Sequence, residues 1–371
     1  MKQHSLMKRV ENIYPKVTVV LPTYNSQKFL DQCLPPLLSM DYANYDILVV
    51  DDCSGDSTVE HLRQYYPKIK VIQLQQRSGH SAACNTGILA TDARYVYIVE
   101  HHTIVTKTAL LELVATMLDH PKTAICYSKQ LNMYNEREIV VEGKRYAHYI
   151  VNQQCERTPF KEACSSETET PVDVTSAGTF SFLLDKEQFS TIGYFDEDYF
   201  IHINDYEFTF RAKAAGLKCY YVPASVSYHK SFVSTASDYN FRGGKKYPDC
   251  RTFFIARNRW LLILSYYSWK TILVLSPAFF LYELGLVGFV IRRNVWKSYL
   301  KALAWLLTHP VLILEKRRRI QQLKRLNDAS LLVAGDLNFV PGLSQSTLER
   351  VIIQSLTTFL TTYWNCVKTF L

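Results

Sequence analysis

The chain has 371 residues, 48% of them hydrophobic and 20% charged, with a formal net charge of +8. That length and balance allow one large domain with an appendage, or two domains, and exclude global disorder. Nine scattered cysteines without CxxC or Cys/His zinc spacing speak against a disulfide framework, and for reduced, buried thiols in the cytoplasm.

The excess positive charge suits an anionic partner, whether nucleotide phosphate, anionic lipid or nucleic acid. Residues 1–16 read as a polar extension without the apolar run of a leader, which keeps the following domain in the cytosol. Then short apolar runs alternate with helical spacing. Strands are expected at Val17–Leu21, Asp46–Val50, Val71–Leu74, Tyr95–Val99 and Ala124–Tyr127. Helices are expected at Gln27–Ser39, Thr58–Tyr65, Ala82–Ala90 and Ala109–Leu118. The pattern predicts an α/β fold with a doubly wound, mostly parallel sheet, and a ligand beyond the carboxyl ends of its strands. Gln153–Pro171, with Glu156, Glu162, Glu167 and Glu169, reads as an exposed insertion. A strand at Phe180–Leu184 and a helix from Asn204 to about Ala215 follow, with Gly216 as C-cap.

Beyond Trp260 the character changes. Thr271–Ile291 is 21 residues with a single charge, Glu283, long enough to span a bilayer, although Pro277 and Glu283 leave an in-plane helix open. Tyr299–Leu314 is a second apolar stretch, followed by Lys316, Arg317, Arg318, Arg319, Lys324 and Arg325. Basic clusters beside apolar helices suit the anionic cytoplasmic leaflet, so membrane lipid is an expected partner. The tail places Ile352, Ile353, Leu356, Phe359, Leu360, Tyr363, Trp364 and Val367 on one helical face. Packing onto the body is the simpler use of that face; a membrane or homodimer contact is the other. The divisions are thus 1–16, an extension; 17–259, a catalytic domain with halves 17–128 and 129–259; 260–326, apolar and basic helices; and 327–371, a helical tail.

Four stretches at strand ends carry chemistry. Pro22-Thr23-Tyr24-Asn25 closes the first strand. Asp51-Asp52-Cys53-Ser54 closes the second, where a carboxylate accepts from a base N–H or a ribose hydroxyl. Arg77-Ser78-Gly79 opens a helix start suited to phosphate, and lacks the Gly-Lys-Ser/Thr of a P-loop. Glu100-His101-His102 ends the fourth strand and offers carboxylate and imidazole to a divalent cation, a set favouring Mn2+ over Mg2+.

In order and spacing, Pro22 to Asn25, Val50 to Ser54 and Gly79 to Gly87 resemble the successive motifs of family 2 glycosyltransferases, which have the A-type nucleotide-sugar fold. The resemblance covers residues 17–260. It implies a nucleotide-diphosphate sugar as donor, with Pro22, Thr23, Asn25, Asp51, Asp52, Arg77 and Gly79 about the nucleotide. Glu100 and His102 stand where the family has Asp-x-Asp, so Glu100 and His102 are the expected ligands of Mn2+ or Mg2+. Asn204-Asp205-Tyr206-Glu207 resembles the acceptor-side motif, which makes Asp205 the general base of an inverting transfer, with Asn204 in place of a Glu. Gly178, Glu207, His229 and Arg257 match positions near acceptor or diphosphate. Arg257-Asn258 resembles a signature of bacterial rhamnosyltransferase-like members. Ala256 stands where processive synthases carry Gln, which favours transfer of a single sugar. The acceptor is expected to be a glycan or polyprenyl-linked glycan at the cytoplasmic membrane face. The contrasting reading is a catalytically weakened scaffold, motivated by His102 and Asn204. Without any base-reading module, nucleic acid is not an expected partner.

Overall fold

The computed structural model describes residues 14–135, 138–159, 170–178, 180–230, 247–337 and 346–371. Its first half follows the expected alternation. Strands β1 (Val17–Thr23), β2 (Tyr45–Asp51), β3 (Lys70–Gln73) and β4 (Tyr95–Val99) are joined by helices α1 (Gln27–Leu38), α2 (Thr58–Tyr65) and α3 (His80–Leu89). These four strands pair in parallel in the order β3-β2-β1-β4. Every residue of β1 is buried, as a strand covered by helices on both faces requires.

The second half departs from the expectation of a mostly parallel sheet. After β5 (Thr103–Val105) and α4 (Ala109–Asp119) come β6 (Thr123–Asn135), β7 (Glu138–Ala147), β8 (Gln153–Pro159), β9 (Val172–Asp173), β10 (Ser181–Asp185) and β11 (Lys218–Lys230). Strand β10 wedges antiparallel between β4 and β6, and β5 runs antiparallel to β11. The sheet is mixed, because a long antiparallel excursion, β6-β7-β8, separates β4 from the strands that complete it. Part of the expected insertion is therefore strand β8; Glu162, Glu167 and Glu169 lie outside the described residues, as does most of the 1–16 extension.

The remaining helices are α5 (Lys186–Ser190), α6 (Asn204–Ala214), α7 (Asp249–Tyr266), α8 (Trp269–Arg292), α9 (Trp296–Thr308), α10 (Pro310–Leu323), α11 (Asp328–Leu331) and α12 (Thr347–Val367). Gly216 ends α6 at φ +82°, a conformation that glycine adopts without a Cβ penalty. The apolar stretch 299–314 divides into α9 and α10 at His309–Pro310, where proline cannot continue a helix but suits its first turn. The division drawn at 259/260 falls inside α7. One apolar cluster joins Tyr149, Tyr206 and Phe210 of the sheet domain to Leu275, Phe279 and Tyr282 of α8 and to Leu360 and Trp364 of α12. The tail thus packs on the body through Leu360 and Trp364, while Ile352 and Phe359 stay exposed.

Glu283, the charge inside α8, faces inward. It accepts from Trp260 Nε1 at 2.7 Å and from the Tyr299 hydroxyl, and pairs with Arg259. A charge so satisfied costs far less in an apolar helix than an unpaired one.

Helix α3 lies close on β1 because residue 87 is glycine: a Cβ there would sit 2.3 Å from Val20 Cγ1. Gly87→Ala is expected to destabilise the fold by about 1–3 kcal/mol, read from denaturant unfolding. His148 is fully buried, accepts the Ile150 N–H at Nδ1, and burial pushes its pKa down to about 4. The unfolded chain therefore binds a proton between about pH 6.5 and 4 that the folded one does not. Stability should fall across that window as pH is lowered, by up to about 1.4 kcal/mol per pH unit from this group. In His148→Gln that part of the slope should vanish.

Candidate active site

The C-terminal ends of β1 and β2 build one side of the site. Asn25 takes φ +49°, its side chain accepts the Gly55 N–H at 2.8 Å, and its own N–H donates to Ser54 Oγ. With Gln27, Lys28 and Asp56, Asn25 and Gly55 line an open depression. Asp51 is fully buried; it accepts from Thr23 Oγ1 at 3.2 Å and from the Ser54 N–H at 2.9 Å. Asp51 and Thr23 thus shape this wall from behind, where the sequence reading put them against the nucleotide. Pro22, at the same strand end, is buried beside them.

Asp52 ties the loop after β3 to the strand end. Its two oxygens accept the N–H groups of Ser78 at 2.6 Å and Gly79 at 2.9 Å. Burial raises its pKa, and those two bonds together with Arg77 oppose the rise. Gly79 starts α3 at φ +91°, and a Cβ there would meet the Phe200 ring at 2.5 Å. Arg77 stacks on Tyr24 at 3.9 Å, a planar cation held near the helix start where phosphate would approach.

At the end of β4 the sheet gathers a metal-binding set. Strand β5 pairs with β11 so that Thr103 lies opposite His229, while β6 sets Asn132 beside His229 on the other side. The ligand atoms of Glu100, His102 and His229 lie within 4.8 Å of one another. His229 Nε2 is 2.7 Å from His102 Nε2 and 3.7 Å from Glu100 Oε2, and His102 Nε2 is 3.4 Å from Glu100 Oε2. Donors on one cation at bonds of about 2.1 Å stand about 3.0–3.4 Å apart; the three separations bracket that range, with the two imidazoles now at hydrogen-bond distance, so small side-chain shifts would let the set hold a cation. Asn132 Oδ1 lies 3.1 Å from His229 Nδ1, which assigns the proton to Nδ1 and leaves Nε2 as donor to a metal. Two imidazoles and one carboxylate make a donor set for a divalent cation. His229 thus sits with the metal set, and Asn132 and His80 join the site without having been read from the sequence.

His80 links this corner to the expected base. Its Nε2 is 4.0 Å from Glu100 Oε1, and its Nδ1 is 3.0 Å from Asn204 Nδ2. The amide donates, so Nδ1 accepts and Nε2–H faces Glu100. Burial pushes His80 down to about 4, and His101 likewise, so both are neutral at physiological pH. Asn204 opens α6, and Asp205 follows it. Asp205 is partly exposed; desolvation raises its pKa, while the Tyr206 N–H and the Arg145 charge hold it down. Arg145, at 4% exposure, approaches because residue 178 is glycine: a Cβ on Gly178 would sit 3.0 Å from Arg145 Nε.

Two expected acceptor-side residues prove to be structural. Glu207 is 1% exposed, paired with Arg211 at 2.9 Å and accepting from Tyr266. Arg211 in turn caps the carbonyls of Ile192, Gly193 and Tyr194. Arg257 is buried and donates to the Asp198 carbonyl, so it grips the loop before α6 rather than facing a ligand. Beside it, Asn258 Nδ2 lies 2.8, 3.0 and 2.7 Å from the carbonyls of Tyr199, Ile201 and His202.

The model of glycosyl transferase family 2 matches residues 18–180. Residues 18–180 are thus similar to the family 2 glycosyltransferases. An uncharacterised glycosyltransferase of Haemophilus influenzae is 23% identical over 61% of this chain and 69% of its own length. The teichuronic acid biosynthesis glycosyltransferase TuaG of Bacillus subtilis, itself named as putative, is 30% identical over 24% of the chain and 36% of that protein. The poly(ribitol-phosphate) beta-N-acetylglucosaminyltransferase TarS of Staphylococcus aureus is 31% identical over 28% and 19%. The match thus spans about a third or less of the last two relatives.

Among solved structures, GalNAc-T7 with UDP, GalNAc and Mn2+ aligns at TM-score 0.55 and 15% identity, over 79% of this chain and 57% of that one. S. aureus TarS 1–349 in complex with UDP-GlcNAc aligns at TM-score 0.50 and 16% identity, over 94% and 91%. At such identities the likeness shows the fold, the A-type glycosyltransferase fold.

Replacing Asn132 with Leu removes the partner that orients His229. Metal affinity should fall roughly 10–100-fold while the unfolding midpoint moves little, as metal titration by calorimetry will show.

Proposed function

We propose that the protein is an inverting glycosyltransferase that moves one sugar from a nucleotide-diphosphate donor to a glycan or lipid-linked glycan acceptor, at the cytoplasmic face of a membrane. The observation that carries this reading is the chain of contacts Glu100–His80–Asn204, which joins the metal set to the turn bearing Asp205. Leaving-group and base functions then stand on one rim of a glycosyltransferase domain.

Asp205 takes the proton from the acceptor hydroxyl as that oxygen attacks the anomeric carbon. The bond from that carbon to the diphosphate oxygen breaks, and its electron pair leaves with the diphosphate. Glu100, His102 and His229 would hold a divalent cation, which would supply positive charge to the leaving diphosphate. Arg77 and the start of α3 provide N–H groups and charge on the donor side. The raised pKa of Asp205 suits a base, because a desolvated carboxylate binds a proton more strongly.

Asp205→Asn keeps shape and loses the base. Transfer should drop about 10²–10⁴-fold with donor affinity unchanged. Near-normal transfer by the purified variant with the true donor and acceptor overturns the assignment.

A further inference from the structure

We propose that α8, continued by α9 and α10, seats on an anionic lipid surface with α8 lying in the membrane plane rather than crossing it. The inference rests on the membrane-face reading above and specifies its geometry.

Helix α8 has 24 residues and is the one helix among the described residues long and apolar enough to cross a bilayer. Its two faces differ. Leu275, Ala278, Phe279 and Tyr282 are buried in the cluster that also holds Tyr149, Tyr206 and Phe210 of the sheet domain. Glu283 points to the same side, bound to Arg259, Trp260 and Tyr299. A crossing helix would carry that cluster, and the catalytic domain with it, into the hydrocarbon. The opposite face is a stripe of exposed apolar groups: Leu273, Pro277, Phe280, Leu284, Val287 and Ile291. The spacing of three and four residues keeps it on one side for the full helix. Leu300, Leu307, Val311 and Leu314 add exposed apolar groups on the following helices, α9 and α10. Trp269 and Trp296, 60% and 42% exposed, flank α8 as amphipathic rings do at a lipid interface.

Charge chooses the occupant. Residues 269–323 hold nine Lys and Arg against two Glu, in a chain whose whole net charge is +8. Two copies meeting through this face would bring like charges together, whereas anionic headgroups neutralise them. Lys270, Arg292, Lys297, Lys301, Arg318 and Arg319 are all exposed. The mode is that of an interfacial amphipathic helix: apolar side chains in the acyl boundary, basic ones among headgroups.

The test uses the full purified chain and preformed vesicles of phosphatidylcholine with or without phosphatidylglycerol. Flotation should show binding to the anionic vesicles that weakens with salt. Phe280→Ser with Leu284→Ser should lower the bound fraction about tenfold or more. Lys270→Cys, in the first turn of α8, and Lys297→Cys, in α9 just beyond its other end, should each take a membrane-impermeant maleimide from outside sealed vesicles, above the label on the parent chain. Ends labelled from opposite sides mean a crossing helix and overturn the proposal. Absence of binding overturns it as well, and a dimer in sedimentation that the same double substitution dissolves would give the face to a second copy. The transfer reading fails separately: the serine variant should keep donor binding, and Asp205→Asn should keep vesicle binding.

Discussion

The site depends on one side-chain amide. Between the turn at Asp196 and the start of α6, Phe200, His202 and Ile203 all take positive φ, at 55°, 63° and 61°. Such conformations cost about 1–3 kcal/mol each in non-glycine residues and persist only where surroundings enforce them. Asn258 enforces them. Its Nδ2 has two protons for three carbonyls, so one bond is shared, and Arg257 Nε holds its Oδ1 at 2.9 Å. Lys316 adds ion pairs to Asp196 and Asp198 at the start of the same loop. The loop so fixed presents Phe200 to Gly79 and Asn204 to His80, with Asp205 following at the start of α6.

That arrangement makes two departures from the family pattern parts of one electrostatic solution. An acid at position 204 would put a second negative charge beside Glu100. The amide of Asn204 instead donates to a neutral His80, whose other nitrogen faces the carboxylate. His102 in place of an acid lowers the charge of the ligand set further, and His229 restores a third donor. Across the sheet, Asn85 binds the Phe195 backbone in both directions and Glu197 Oε1 as well, so the donor half and the base loop are joined by side chain to backbone. The geometry that brings donor and acceptor chemistry together is thus polar rather than apolar in origin.

The alternation β1 to β4 was legible because buried parallel strands are unbroken β-branched and apolar runs, and Tyr95–Val99 is a clear case. The antiparallel insertion of β10 was not, since a five-residue strand carries no sign of its direction. The clustering of Glu100 and His102 was legible through strand ends, while Asp205 rests on motif order. His229 drew attention as a lone histidine, but its partner His102 is 127 residues away, and only the pairing of β5 with β11 brings them together. Glu207 and Arg257 carried charge into an acceptor motif and read as ligand contacts. Burial and neighbouring carbonyls turned them into framework, and a single sequence contains neither.

Adjacent residues of α7 point in two directions. Asn258 fastens the loop that leads to Asp205, and Arg259 fastens Glu283 of α8. One turn of helix therefore joins the Asp205 loop to the apolar layer. Were that layer seated on lipid as proposed, the carboxylate would stand at a constant height above the headgroups. The protein would then act as a gauge: among hydroxyls along a lipid-anchored chain, it would meet those held at that height, and select its acceptor by distance from the anchor as well as by shape.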